Sequence, residues 1–434
     1  MTLPFTKHTL ANGLDVILHE DRSCPIVAVN LWYHVGSKNE RVGHTGFAHL
    51  FEHLMFEGSQ HHDRGYFQPL QGAGGTLNGS TNADRTNYWE VVPANALELA
   101  LWMESDRMGY LLPALTEAKF TNQRDVVLNE RRQNYENRPY GLAPMAMLAA
   151  LFPDEHPYHW TTIGEVVDLQ ATRLDEVHAF FRRYYHPANA SIALAGDFDS
   201  GQTLALVDQY FGEIPPGETV APVRASASLE RDVRIMFEDR VELPRLYLGW
   251  LTPAMFADGD ADLDLANDLL ANGKTSRLYK RLVFDERIAT DVSASQNSRE
   301  ISGYTQIVAT ASPGHSLGEL EEVILDEIAK LTADGPTEDE MERGRAQAES
   351  QFMFRLQTVG GFGGKSDQLN AYNVFKDDPG YFDRDLERYR DVTPDSMRGC
   401  VGQYLAPGAR VTLSIVPLGR PELAAARSER VTVA

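Results

Sequence analysis

The second half of this chain restarts the first. LYLGWLTPAMFADGDADLDLANDLLANG lays on LWYHVGSKNERVGHTGFAHLFEHLMFEG at an offset of 215, about half of the 434 residues, and brings Gly273 onto Gly58. A later stretch, TEDEMERGRAQAESQFMFR, resembles residues 116–134 at an offset of 221. The strand-like run Arg410 to Val416 matches Ser191 to Ala195 in the same repeat. Between the halves lies EIPPGETVAPVRASAS (213–228), rich in Pro, Ala and Ser, which reads as a linker. The expected organisation is a first half over 1–216, a linker over 217–230 and a homologous second half over 231–434.

Within each half, strand and helix signals alternate in an α+β pattern. Leu14 to Leu18 follows Asn12-Gly13, a hairpin-turn pair, and Ile26 to Tyr33 is apolar and β-rich. Gly79 to Val92 carries Thr, Tyr, Trp and Val in strand-like order. Residues 95–112 and 116–135 keep helical spacing, further helical segments run to about 184, and Ser191 to Asp197 reads as a strand. We expect two halves, each a mostly antiparallel sheet with helices packed on one face.

The chemistry concentrates at His49-Leu50-Phe51-Glu52-His53. The surrounding run GFAHLFEHLMFEGS is apolar, lacks Pro and ends at a Gly, so it reads as a helix. Residues three and four apart share a helix face, so His49, Glu52 and His53 project together. Two imidazoles at i and i+4 can hold one zinc ion, with the carboxylate beside a metal-bound water; HxxEH is the inverzincin signature. Leu50, Phe51, Leu54 and Met55 supply an apolar face, beside which uncoordinated histidines would be costly. A catalytic zinc site takes three protein ligands plus water. The candidate third ligand is Glu130, in a second helical run (FTNQRDVVLNERRQNYENRP); seventy-six residues lie between His53 and Glu130. In the second half the motif positions fall on Asp264, Asn267 and Asp268, so both histidines are gone and the repeat has one live copy.

With both runs in view, the chain resembles the pitrilysin and mitochondrial processing peptidase family of inverzincins, in its short bacterial branch. The blocks that carry the resemblance are YHVGSKNERVGHTGFAHLFEHLMFEGS, GGTLNGSTNADRTNYWEVVP, RDVVLNERR, HPYHWTTIGEVVDL and RRYYHPANASIALAGDFD, which sample most of residues 10–200. The resemblance implies that His49, His53 and Glu130 bind Zn²⁺, that Glu52 is the general base, and that paired homologous halves face each other across a peptide-binding cavity. It implies further that the strand around Asn78 to Thr81 takes the substrate as an added strand, with Asn78 a substrate-binding residue. β-augmentation of this kind suits many sequences, since main-chain hydrogen bonds are sequence-blind; the plain alternative is a turn at Asn78-Gly79. Zinc brings the pKa of a bound water to about 7. Glu52, one turn from both ligands, would take that proton and deliver it to the leaving amine.

Two departures from the family pattern matter. Seven residues before Glu130 the family has a Glu; here it is Gln123, which can still hydrogen-bond a ligand but carries no charge. Complete relatives also carry an Arg and, seven residues on, a Tyr in the second half. Val283 and Thr290 occupy those places, and neither donates to a carbonyl oxygen as Arg or Tyr does. Arg281 and Arg287 are out of register. The expectation is a zinc endopeptidase subunit acting on peptides or unstructured segments, in a heterodimer whose homologous partner subunit supplies the Arg and Tyr. The alternatives are a non-catalytic assembly subunit, against which an intact HxxEH argues, and a self-sufficient homodimeric peptidase using Arg281 or Arg287.

Composition excludes other classes. A net charge of −22 argues against nucleic acid as a partner. No run approaches the ~18 apolar residues of a membrane span. Cys24 and Cys400 have no metal-like spacing and read as free thiols, so nothing points to an oxidising compartment. The start, MTLPFTKHTL, lacks the basic and apolar regions of an export leader, so the cytoplasm is expected, with the periplasm as the alternative for a chain whose leader has been removed. Gly360 to Ser366 lacks the first glycine of a phosphate loop, Val359 standing there, and reads as a break between helices. His61-His62 and His156/His159 read as surface or packing residues, and Asp258, Asp260 and Asp262 as solvated acid without the Gly and Glu of a calcium loop.

Overall fold

The computed structural model describes residues 3–405 and 408–433. Its strands are β1 (Thr6–Thr9), β2 (Asp15–Glu20), β3 (Ile26–Tyr33), β4 (Thr76–Thr81), β5 (Thr86–Pro93) and β6 (Ala190–Gly196), then β7 (Val233–Asp239), β8 (Arg245–Thr252), β9 (Ala289–Asn297), β10 (Gly303–Ala311), β11 (Val411–Pro417) and β12 (Glu429–Arg430). They form two six-stranded sheets, in the orders β1-β2-β6-β3-β5-β4 and β12-β7-β11-β8-β10-β9. The orders are the same apart from chain numbering. In both, one parallel pair (β2 with β6, β7 with β11) adjoins a run of antiparallel pairs. The sheets part company only at one edge, where β1 is antiparallel to β2 and the two-residue β12 is parallel to β7. The fold is therefore α+β with mixed, mainly antiparallel sheets. β11 holds in the second sheet the place of β6 in the first, as the repeat requires.

The chain divides into two compact units that are not contiguous in sequence. One comprises residues up to Glu130, Trp160–Val223 and Gln351–Arg384; the other comprises Arg131–His159, Arg224–Ser350 and residues from Asp385 onward. Residues 218–230, within the expected linker, carry no helix or strand.

The discontinuity has a structural meaning. In the first unit, the odd-numbered residues Val27, Val29, Leu31 and Tyr33 of β3 are buried on the face that carries the motif helix. The even-numbered face receives helix Lys365–Lys376, which comes from the second half of the sequence. In the second unit, Leu246, Leu248 and Trp250 of β8 pack with Leu263, Leu269, Leu320 and Ile324 of that unit's own helices. The opposite face receives helix Ala143–Leu151 from the first half. Each half thus lends one helix, some 222 positions apart in sequence, to the other's sheet. Helices on one face was the expectation; both faces are covered, because a short helix carries no mark of which sheet it will close.

The two lent helices dock by different chemistry. Ala143–Leu151 is apolar, and it sits so close to β8 that a Cβ on Gly249 would lie 2.6 Å from the Met147 sulfur. Lys365–Lys376 docks through a buried polar network. Asp367 accepts from Trp32 Nε1 (2.9 Å), Asn87 Nδ2 (3.3 Å) and the Gly363 amide (2.7 Å). Asn370 donates to the Asn30 carbonyl (2.7 Å) and accepts from Ser191 (2.7 Å). The glycine run before this helix is explained by approach: a Cβ on Gly360 would lie 2.5 Å from Ala28 Cβ.

Candidate metal centre

The motif helix spans Phe47–Leu54 and buries Phe47, Ala48, Leu50, Phe51 and Leu54, leaving His49, Glu52 and His53 half-buried on its other side. Its N-terminus is fixed by carboxylates, which suit a helix N-terminus. Glu40 accepts from the amides of Gly46 (2.9 Å) and Ala48 (2.8 Å). Asp168 accepts from the amide (3.1 Å) and hydroxyl (2.8 Å) of Thr45. Burial pushes the Glu40 carboxyl up to about 8, against the pull of the two amides. Gly46 has φ +88°, and a Cβ there would meet Leu169, Ile163 and Gly164.

Glu130 stands near the end of helix Glu117–Arg131. Its Oε2 lies 3.6 Å from His49 Nε2 and 3.4 Å from His53 Nε2. One ligand atom from each residue falls within 4.8 Å of the others, and no other group of this kind occurs among the described residues. Two donors bound tetrahedrally to zinc are about 3.3 Å apart, so the donor set and spacing fit a zinc-sized ion. Burial, and then the neighbouring His53, lowers the His49 pKa to about 4. Burial would lower that of His53 too, but Glu130 and Glu52 hold it above the ordinary histidine value. Burial raises the Glu52 carboxyl, and a hydrogen bond with the Thr81 hydroxyl works in the opposite direction.

Gln123 lies beside the site. Its carbonyl Oε1 is 3.3 Å from His53 Nδ1, and its Nε2 donates to Glu57. The amide therefore accepts Nδ1–H and leaves Nε2 turned to Glu130, the tautomer that a ligand needs. The charge expected seven residues before Glu130 is carried at Glu57 instead. Glu57 was missed in the sequence, although it lies one turn beyond His53 and that spacing could have flagged it; Thr81 was read only as part of the substrate-binding strand, not as a neighbour of Glu52.

Asn78 and Gly79 lie within β4, so no turn forms there; the turn is at 82–85, closed by Asn82 N to Arg85 O (3.0 Å). β4 is an edge strand. Counting outward from that turn, ladder bonds fall at Ser80, Asn78 and Thr76, so Leu77, Gly79 and Thr81 turn their main-chain groups to the open edge. The Asn78 side chain accepts from the Gly79 amide (2.8 Å) and so caps one of those edge groups.

The corresponding helix of the second unit, Asp260–Ala271, forms no such cluster. Asp264 accepts from Tyr389 Oη (2.8 Å), Asn267 donates to Thr305 Oγ1 (3.0 Å), and Asp268 accepts from Asn272 (2.9 Å). Asp260 is buried and ion-paired with Arg388 (2.8 Å), which corrects its reading as solvated acid. Val283 packs at the edge of this unit's core and Thr290 is exposed. Arg281 is held by Glu286, Asp326 and Glu327, and Arg287 is exposed. His156 is buried and accepts from the Tyr158 amide (3.0 Å), while His61 is half-exposed and paired with buried Asp106 (2.5 Å). Cys24 and Cys400 are free thiols. No helix among the described residues is long and apolar enough to cross a membrane.

Residues 15–158, which contain all the candidate ligands, match the family model described as insulinase (peptidase family M16). Residues 172–348 match the model described as peptidase M16 inactive domain. The chain belongs to the M16, or pitrilysin, family of metallopeptidases. Among M16 relatives it is 29% identical to zinc protease PqqE of Helicobacter pylori over 356 residues, covering 81% of this chain and 80% of that one. It is 24% identical to zinc protease YmxG of Bacillus subtilis, over 81% and 85% of the two chains. The crystal structure of a protease from Helicobacter pylori superposes with a TM-score of 0.88 at 26% identity, covering 96% of this chain and all of that one. An M16 inactive-domain structure from Pseudomonas fluorescens has the same fold, with a TM-score of 0.85 at 19% identity over 96% and 98%.

Proposed function

We propose that this M16 chain is a zinc-dependent endopeptidase subunit that hydrolyses peptides or unstructured protein segments. The observation that carries the reading is the convergence of His49, His53 and Glu130 at ligand spacing, with Glu52 beside them. Zinc held by these three residues would supply a Lewis acid for the scissile carbonyl and an acidified water. Glu52 takes the water proton on its carboxylate and hands it to the nitrogen of the leaving amine. The Thr81 hydroxyl favours the ionised form of that carboxylate, and Gln123 keeps His53 in its ligand tautomer.

The peptide lies along the open edge of β4, exchanging main-chain hydrogen bonds with Leu77, Gly79 and Thr81. Asn78 releases the Gly79 amide to the substrate and turns its carboxamide to the peptide. A homologous partner subunit supplies the Arg and Tyr that Val283 and Thr290 replace. The engagement of Arg281 by three carboxylates speaks against its use in a self-sufficient homodimer, which leaves that alternative to Arg287.

Cleavage of a quenched fluorescent peptide library by the pure, zinc-loaded chain, with Glu52→Gln as control, tests both parts. Weak or absent cleavage that rises on adding a homologue bearing Arg and Tyr is expected. Glu52-dependent cleavage at full rate by the chain alone would overturn the partner; cleavage indifferent to Glu52 would overturn the active site.

A further inference from the structure

Arg85 sits at the turn between β4 and β5, at the end of the edge strand nearest Glu52's partner Thr81. Its Nη1 donates twice to Ser80, to the main-chain oxygen at 2.8 Å and to the hydroxyl at 2.7 Å. Its guanidinium carbon lies 5.1 Å from the centre of the Trp32 ring. Ser80 Oγ donates in turn to Asn87 (2.6 Å), and Asn87 and Trp32 both donate to Asp367. The turn itself is fixed, since Asn82 Oδ1 accepts from the amides of Asp84 (2.7 Å) and Arg85 (2.9 Å). The guanidinium is therefore held at one edge and stacked on one face.

Its Nε and Nη2 make no hydrogen bond among the described residues, yet neither is fully enclosed. A guanidinium has five donors in a rigid fork, and one held in this way presents the remainder as a preformed site for an oxygen acceptor. Asp367, the acid on this face, has its oxygens occupied by Trp32, Asn87, Asn30 and Gly363 and makes no direct bond to Arg85.

The position relative to β4 says which atoms would meet it. Side chains of a strand alternate between faces, and Ser80 shares its face with Asn87 and Trp32. A peptide strand added at the β4 edge places one side chain beside Ser80 on that same face, within cross-strand reach. That side chain comes up against the free donors of Arg85.

We propose that Arg85 is a specificity-determining residue, which selects substrates carrying a carboxylate or carboxamide oxygen on the side chain that lies beside Ser80. The inference rests on the endopeptidase reading above and adds the substrate chemistry that the reading leaves open. A charged acceptor gains more than a neutral one, because the hydrogen bonds are then charge-assisted. The order of preference is Asp or Glu, then Asn or Gln, then apolar, with Lys and Arg last.

The test is peptide binding to the zinc-loaded Glu52→Gln protein, followed by fluorescence anisotropy, with Glu, Gln, Leu or Lys walked through each position of a fixed peptide. A preference for Glu at one position, tenfold or more over Lys, is expected. Arg85→Met should abolish it, Arg85→Lys should keep part of it, and Arg85→Glu should reverse it in favour of Lys, all with zinc content unchanged. A purely structural Arg85 would weaken every peptide alike without reversal, which overturns the proposal, as does an unaltered preference in all three variants. If no peptide binds even after a homologue bearing the Arg and Tyr is added, the endopeptidase reading is overturned, and the proposal with it.

Discussion

The two units share a strand order and a pattern of lent helices, and they differ in what lies along one helix. In Phe47–Leu54 the half-buried positions hold His49, Glu52 and His53, and Glu130 meets them from a second helix. In Asp260–Ala271 the matching positions hold Asp264, Asn267 and Asp268, each turned to a neighbour within the unit. The scaffold is the same, so the difference isolates what sets the candidate centre apart. In the first unit the candidate ligand atoms point at each other across a gap; in the second, these side chains each bond a neighbour instead. The lent helices give the converse lesson. Asp367 and Asn370 are fully engaged and serve adhesion, while Met147 does the same work with dispersion alone.

These contrasts can be broken by substitution. The largest effect expected is at Glu52: replacement by Gln should lower turnover by about 10³-fold while zinc content, measured by atomic emission, stays at the parent level. Equal turnover would remove Glu52 from the chemistry. Next is the polar docking of Lys365–Lys376. Asp367→Ala leaves Trp32 Nε1 and the Asn87 amide without their acceptor and should cost about 3 kcal/mol in a urea melt. Met147→Ala should cost about 2 kcal/mol, by a cavity alone; equal insensitivity of both would dissolve the contrast between polar and apolar docking.

Smaller effects sharpen the comparison. Gln123→Ala should weaken zinc binding about 10-fold in a chelator competition, because His53 loses the acceptor that fixes its tautomer. An unchanged affinity would mean that Gln123 is a bystander. The smallest effect concerns acid. Burial, with His159 and Arg299 nearby, lowers the His156 pKa from 6.5 to about 4. The unfolded chain then takes up this proton near pH 6.5 while the folded one resists until about 4. Stability from this group is full above 6.5 and falls as the pH drops toward 4. His156→Gln should flatten that part of a pH-stability curve, and an identical curve would dismiss His156 as its source.

Much of the candidate site was legible because its polar side chains sit at helical spacing, which the chain itself displays. His49, Glu52 and His53 follow from the 3.6-residue period, and Glu130 came from the family pattern. The roles of Glu57, Thr81 and Arg85 stayed hidden because they arise from contacts between elements: Thr81 meets Glu52 from a strand, and Glu57 is reached through Gln123. The repeat was visible in Gly58 and Gly273 and in the β6 and β11 runs. The exchange of helices was not, since Ala143–Leu151 and Lys365–Lys376 look like ordinary helices of their own halves. Asp260 was misread for a similar reason, its partner Arg388 lying 128 positions away.

The most direct test of the asymmetry between the units is zinc stoichiometry by mass spectrometry under native conditions. The parent chain should hold one zinc, Glu130→Ala none at the same free-zinc level, and the double replacement Asp264→Ala with Asp268→Ala still one. Zinc retained after loss of Glu130, or lost after the change in the second unit, would contradict the assignment of a single metal centre to the first.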